Sequence, residues 1–457
     1  MNEPIFIARQ DTLEQEILPA HWLSQYKLFG EESYTFQDKE IWKKLCMSRA
    51  AANDRDMHAE ALEEMLTTFS AEHTGKWMLT VYGMDAAVLE GLATMAAVAG
   101  NGTAMAAVAG NALLMHAITN SETAMRAIAN SQTAMHAIAN SETAMQRIAN
   151  STTAMDAIGG SKIARDAVQA SPYYNSYIKE NDMAIAKLAV ALASLESAGY
   201  SGMAGVAADS TAMNAVAASS TAMNAVAASS TAMNAVAASS VARNAISASP
   251  YYDATIKEND MAIAKLVVGF ANLESARYSG CAGMAADSTA MTAVAASSTA
   301  MTAVAASSTA MTAVAASGVA LKAIAQAYKN TANMLKFLQA VNASDTLVKS
   351  IYSTLTNATG LFDAAQLGAQ DSVTNADKWA TTSAAPNAFL ACACGYYDTR
   401  SNSVNVIYNG TVIAQNKTGT AKPGSVTSTN VNAITMAPST FAENGDGYLA
   451  VQKFTAK

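Results

Sequence analysis

The chain has 457 residues, 36 of them acidic and 28 basic, for a net charge of −8 and an apolar fraction of 51% in which alanine supplies number without bulk. That length accommodates several domains. The charge balance lacks the basic stripe that phosphate demands, which argues against a nucleic-acid binder. No apolar run reaches the roughly 18 residues of a membrane span, so no membrane insertion is expected.

Residues 1–90 are expected to form a helical attachment domain. The segment through Gly91 carries sixteen acidic and eight basic side chains, so the rest of the chain is neutral, and three of four tryptophans (Trp22, Trp42 and Trp77) lie in it. Leu62-Glu63-Glu64-Met65-Leu66 reads as part of a helix with a real core. The opening Met1-Asn2-Glu3-Pro4-Ile5 lacks the basic start and apolar run of a secretory signal. For a protein acting outside the cell, that suggests release by lysis or assembly within a particle.

Residues 91–170 are a first decapeptide array. Met95, Met105, Met115, Met125, Met135, Met145 and Met155 stand ten apart in units close to Ser-x-Thr-Ala-Met-x-Ala-Ile-Ala-Asn. Self-similarity at a fixed period means one small unit stacked many times. Met and the Ile or Val three residues later share a helical face. A continuous α-helix fits poorly, because at about 100° per residue ten residues fall short of three turns and the methionine stripe would wind around the rod. Ser121, Ser131 and Ser141 are candidate N-caps, and Asn130, Asn140 and Asn150 candidate left-handed exits. The expectation is helices of roughly seven residues, about 10 Å long, stabilised by stacking because such helices are marginal alone. A continuous rod and a β-solenoid are the alternatives; the abundance of alanine argues against the latter.

Residues 171–326 hold two copies of a longer module. Ser171-Pro172-Tyr173-Tyr174 returns as Ser249-Pro250-Tyr251-Tyr252, 78 positions on, and Met213 returns as Met291. In each copy Lys-Glu-Asn-Asp opens a longer helix whose apolar run ends near Leu195-Glu196-Ser197 or Leu273-Glu274-Ser275. The tyrosine pairs are expected to close one stack and seat that helix rather than bind a ligand. From Ser288 to Ala320 there is no charge.

Residues 327–373, with Met334, Leu335, Phe337, Leu338, Ile351 and Leu355, read as a helical cap, and 374–386 as a polar linker. From residue 387 to 457 the apolar period becomes two, which reads as a β-rich tip of about six strands in a small antiparallel sandwich or barrel. Asn409-Gly410 between Val404–Tyr408 and Thr411–Ala414 is a hairpin signal. The fold class is therefore mainly α: a short-helix decapeptide-repeat solenoid or rod, with a helical N-terminal domain and a small antiparallel β-sandwich at the C-terminus.

Few residues suggest chemistry. The five histidines, His21, His58, His73, His116 and His136, show no metal-ligand spacing. His116 and His136 fall where other repeats carry Arg126, Gln146, Asp156 or Asn214, so they should face solvent. Cys46 and Cys281 stand alone. Cys392 and Cys394 share one face of a strand but make only half a metal site. Asn444-Gly445-Asp446-Gly447 reads as a turn rather than a calcium loop. A glycosidase needs two positioned carboxylates, and the tip offers only Asp398, Glu443 and Asp446. The expectation is no enzyme, no cofactor and no metal. Tyr396, Tyr397, Arg400 and Asn402 are the candidate receptor-contact residues, against the alternative that the two tyrosines merely divide between the core and surface of a strand.

The decapeptide from Asn120 to Asn150 resembles repeats in bacteriophage tail-fibre and other virion proteins. The layout of attachment region, repetitive shaft and β-rich tip is similar to theirs. The resemblance implies a virion fibre assembled in the host cytoplasm and facing outward after release. Residues 1–90 would join other virion or tail proteins, and residues 387–457 would meet a host-surface glycan or protein. A homo-oligomer, with trimers common among phage fibres, is implied too. The alternatives are a bacterial cell-surface adhesin and an internal scaffold without receptor binding.

Overall fold

The computed structural model describes Leu92 and residues 95–373, 379–380, 385–396, 403–417, 425–437, 439–444 and 447–457. The attachment domain expected over residues 1–90 lies outside the described residues. The chain divides into two compact units, Met1–Ala232 and Met233–Lys457. Among the described residues it is mainly helical, with 24 helices and a small antiparallel β region at the C-terminus.

In the first unit each decapeptide makes its own helix. Glu122–Ala129, Gln132–Ala139, Glu142–Ala149, Thr152–Gly160 and Lys162–Ala170 have eight or nine residues, slightly more than expected. Ser121, Ser131 and Ser141 are extended, and their hydroxyls accept from the N–H of Ala124, Ala134 and Ala144, as N-caps do. Asn130, Asn140 and Asn150 are not left-handed exits: their φ angles are −90°, −95° and −100°. The carboxamide of each donates 2.9 Å to the carbonyl four residues back, on Arg126, His136 and Gln146. With that carbonyl satisfied by a side chain, and the next serine extended, the helix ends without a positive φ.

Successive helices turn sharply; Gly102–Gly110 and Leu114–Asn120 differ by 99° in direction. Each helix then packs on the third one along, Glu122–Ala129 on Thr152–Gly160 and Gln132–Ala139 on Lys162–Ala170. Inside lie Met105 to Met155 at ten-residue steps with Ile118, Ile128, Ile138, Ile148 and Ile158, all without solvent exposure. The capping serines also tie these layers together. Ser131, Ser141, Ser151, Ser161 and Ser171 donate to the carbonyls of Ala99, Ala109, Thr119, Ala129 and Ala139, each 32 residues back, at 2.5–2.6 Å. One hydroxyl thus accepts from its own helix and donates to another, which alanine cannot do. The longer helix Asp182–Leu192 follows, capped by Asn181. It ends before the expected Leu195, and Ser194, at φ 63°, turns the chain into a loop.

The second unit repeats the pattern. Ser288–Ala296 and Ser298–Ala306 meet at 102°, Ser308–Ala315 and Gly318–Gln326 at 94°. Ser317 donates 2.6 Å to Ala285, again 32 residues back. The longer helix is Asp260–Phe270, and Asn272, at φ 57°, stands where the first copy has Ser194. Thr331–Asn342 and Asp345–Asn357 close the helical part and bury Phe337, Leu338 and Ile351.

The strands begin earlier than expected. Phe362–Val373, read from sequence as part of the helical cap, is strand β1, and Trp379–Ala380, within the expected linker, is β2. The segment Phe-Asp-Ala-Ala-Gln-Leu-Gly-Ala lacks the β-branched alternation that marks a strand. Pairing with the last strand sets its state, as context commonly does for β structure. The others are β3 Ala388–Tyr396, β4 Ser403–Tyr408, β5 Thr411–Lys417, β6 Ala433–Met436, β7 Ser439–Asn444 and β8 Gly447–Ala456. Residues 387–457 hold six of these, β3 to β8, the number expected there, and with β1 and β2 the eight strands among the described residues form two antiparallel sheets ordered β1-β8-β3-β6 and β2-β7-β4-β5. The β4–β5 hairpin turns at Asn409 and Gly410, with φ 47° and 76°, the positive pair a type I′ turn requires. Asn342 ties helix to sheet, accepting from Ile434 N–H at 3.0 Å and donating to its carbonyl at 2.7 Å. Phe337 packs on Phe389, so one core runs from helices to sheets within this unit.

Candidate functional site

Of the residues picked out for receptor contact, Tyr396 is the last residue of β3, its backbone opposite Gly447 of β8. Tyr397, Arg400 and Asn402 lie outside the described residues. Among the tip acids, Glu443 sits on β7 opposite Val404, while Asp398 and Asp446 lie outside the described residues. Cys392 and Cys394 are buried on β3; burial and then the neighbouring Cys394 push the Cys392 thiol well above its ordinary range. No group of three or more His, Cys, Asp or Glu among the described residues is placed to hold a metal ion. His136 is exposed and His116 half-buried.

The most site-like arrangement was not anticipated. A polar cleft of about 970 Å³ opens in the first unit, lined by Glu122, Arg126, Thr153, Asp156, Glu196 and Ser197 among others. Behind it Lys187, on the apolar helix Asp182–Leu192, has no solvent exposure. A buried ammonium requires partners, and Lys187 Nζ donates to Asp156 Oδ1 at 2.6 Å and to the Ser197 carbonyl at 3.0 Å. Ser197 Oγ donates to the same Asp156 oxygen at 2.8 Å. The one signal in the sequence was a lysine inside an apolar run, present in both copies.

The second copy serves as an internal control. Asn234 stands where the first copy has Asp156, and Lys265 Nζ donates to its Oδ1 at 2.7 Å and to the Ser275 carbonyl at 3.1 Å. Ser275 Oγ donates to the same Asn234 oxygen at 3.0 Å. A carboxamide does not take a proton from serine, yet the geometry persists. The arrangement therefore suits a strut that fixes the 193–202 loop to the helices better than an acid–base pair.

A second polar device also occurs in both copies. Glu258 accepts from the N–H groups of Ser308 and Thr309 at 3.0 Å and from their hydroxyls at 2.7 and 2.8 Å, at the start of helix Ser308–Ala315. Burial by itself raises its pKa, but these hydrogen bonds outweigh it and bring the carboxyl down to about 2. Glu180 binds Ser230 and Thr231 N–H at 3.0 and 2.9 Å and is likewise lowered, burial again opposing the hydrogen bonds. Between these elements Tyr174 and Tyr252 are pushed up to about 12, first by burial, then by neighbouring carboxylates. Both tyrosines stay neutral and act as packing groups.

No protein-family model matches this chain, and no curated protein matches it.

Proposed function

We propose that the chain is a structural fibre or appendage protein of a virus particle, and that its helical arrays are decapeptide-repeat solenoids with three helices to a turn. The observation that carries this reading is the 32-residue spacing of the serine-to-carbonyl hydrogen bonds. Bonds of that kind join each turn only to its neighbours, so length can grow by adding units without redesigning a core. A spacer has use for this property, and a catalyst has little. In this reading residues 1–90 dock to other virion or tail proteins, and residues 387–457, as a small β-sandwich, meet a host-surface glycan or protein. The protein acts without enzymatic chemistry or a cofactor, and its copies associate, with a trimer the form to test first.

Electron cryo-microscopy of purified particles, with antibody against residues 385–457, tests the reading. Label at the distal end of a projecting appendage is the expected result. Label inside the particle points to an internal scaffold, and label on the bacterial cell but not on particles points to an adhesin; either outcome removes the fibre reading.

A further inference from the structure

One helix–helix seat occurs twice in this chain, with its small residue on opposite sides. In the first copy Gly159, on the decapeptide helix, faces Ala191 of the long helix and Ser197 of the loop after it; a Cβ built on Gly159 would stand 2.9 Å from Ser197 Oγ and 3.1 Å from the Ala191 Cβ. In the second copy the equivalent residues are exchanged, with Ala237 on the decapeptide helix and Gly269 on the long one. A Cβ on Gly269 would stand 2.4 Å from the Ala237 carbonyl oxygen and 2.9 Å from its Cβ. Each seat accepts one methyl group, but from opposite helices.

The rest of the seat is nearly the same in both copies. Met155 and Met233, Ile158 and Val236, Ile185 and Ile263, and Leu188 and Leu266 are all fully buried at matching places. A long helix would otherwise fit the decapeptide helix of the wrong copy almost as well as its own. Crossed pairing sets Ala191 against Ala237, two methyl groups in space for one, or Gly159 against Gly269, with that space empty. Overfilling and voids both destabilise close-packed interiors.

We propose that this reversed glycine–alanine pair is a registry key. It makes each long helix select the decapeptide helix that precedes it in the chain, Gly159 with Ala191 and Ala237 with Gly269, and reject the equivalent helix 78 residues away. Such a device is needed where repeats are so alike that composition alone cannot set the register.

The test uses the full chain carrying both Gly159→Ala and Ala191→Gly. This gives the first seat the pattern of the second, so both copies carry the same key while each seat still holds one methyl group. Ser275 coexists with Ala237 in the second copy, so Ser197 should tolerate alanine at 159. The native midpoint of thermal melting is expected to stay close to that of the unaltered chain. Refolding from denaturant should then yield several-fold more mispaired monomer and exchanged oligomer, read by size-exclusion chromatography and cross-linking mass spectrometry. Should that variant not fold, Ala237→Gly with Gly269→Ala equalises the copies in the other direction and is read in the same way. An equalised chain that refolds as cleanly as the unaltered one overturns the proposal. Failure of both variants to fold overturns it as well, because the key requires interchangeable patterns.

Discussion

A lysine with no exposure, such as Lys187, is held by everything around it rather than by one bond. Its Nζ has a carboxylate and a carbonyl within 3.0 Å, and the carboxylate is shared with a serine hydroxyl. The second copy keeps the pattern with an amide, so it is polarity at position 156, more than charge, that the seat demands. Asp156→Asn should therefore cost under about 1 kcal/mol, in line with exchanging one hydrogen-bond acceptor for another. Asp156→Ala leaves a buried ammonium with one partner fewer and should cost about 3 kcal/mol, the low end for breaking a buried pair, because Asp156 itself is partly exposed. Equilibrium unfolding of the full chain separates the two. Equal losses would mean that the lysine depends on the ion pair itself.

At the scale of single elements, the glutamates at 180 and 258 take the place of a ligand at a helix start. Backbone N–H groups there carry partial positive charge, which favours a carboxylate. Glu258 has a folded pKa of about 2 against an ordinary 4.5. Because the folded value is depressed, its stabilisation is present above pH 4.5 and disappears as pH falls toward 2. Glu258→Gln should lower the melting midpoint at neutral pH and flatten its decline across that acidic window. A parallel decline in both proteins would show that the carboxylate contributes nothing. The elements themselves were legible to different degrees. Ten-residue spacing located the buried Met and Ile faces, and serine before each Thr-Ala-Met located the caps, because both signals are local. The exits at Asn130, Asn140 and Asn150 were misread because asparagine also ends a helix through its side chain, without a left-handed backbone. Strand β1 was misread because its partner β8 lies some eighty residues away and its own composition says little. The Lys187 cluster shows in the sequence only as a lysine within an apolar run, because its partner Asp156 is 31 residues distant.

At the scale of the molecule, most decapeptides give the core one methionine, one isoleucine or valine, and alanine. In the first unit helices three apart are joined by burial and by the hydroxyls of Ser131, Ser141, Ser151, Ser161 and Ser171. Such joints act in series when the two ends are pulled apart. Load therefore falls on one layer at a time, and the chain should pay out in equal steps instead of rupturing as a whole. Each released set of three ten-residue repeats frees about 30 residues, which at about 3.5 Å apiece is on the order of 100 Å of slack. Pulling single molecules by their termini should give a sawtooth with that increment, and Ser161→Ala should lower the force of one tooth only. A single large rupture would show that the layers fail together. A chain built this way would be a shock absorber, able to lengthen under a passing strain and rewind when it eases.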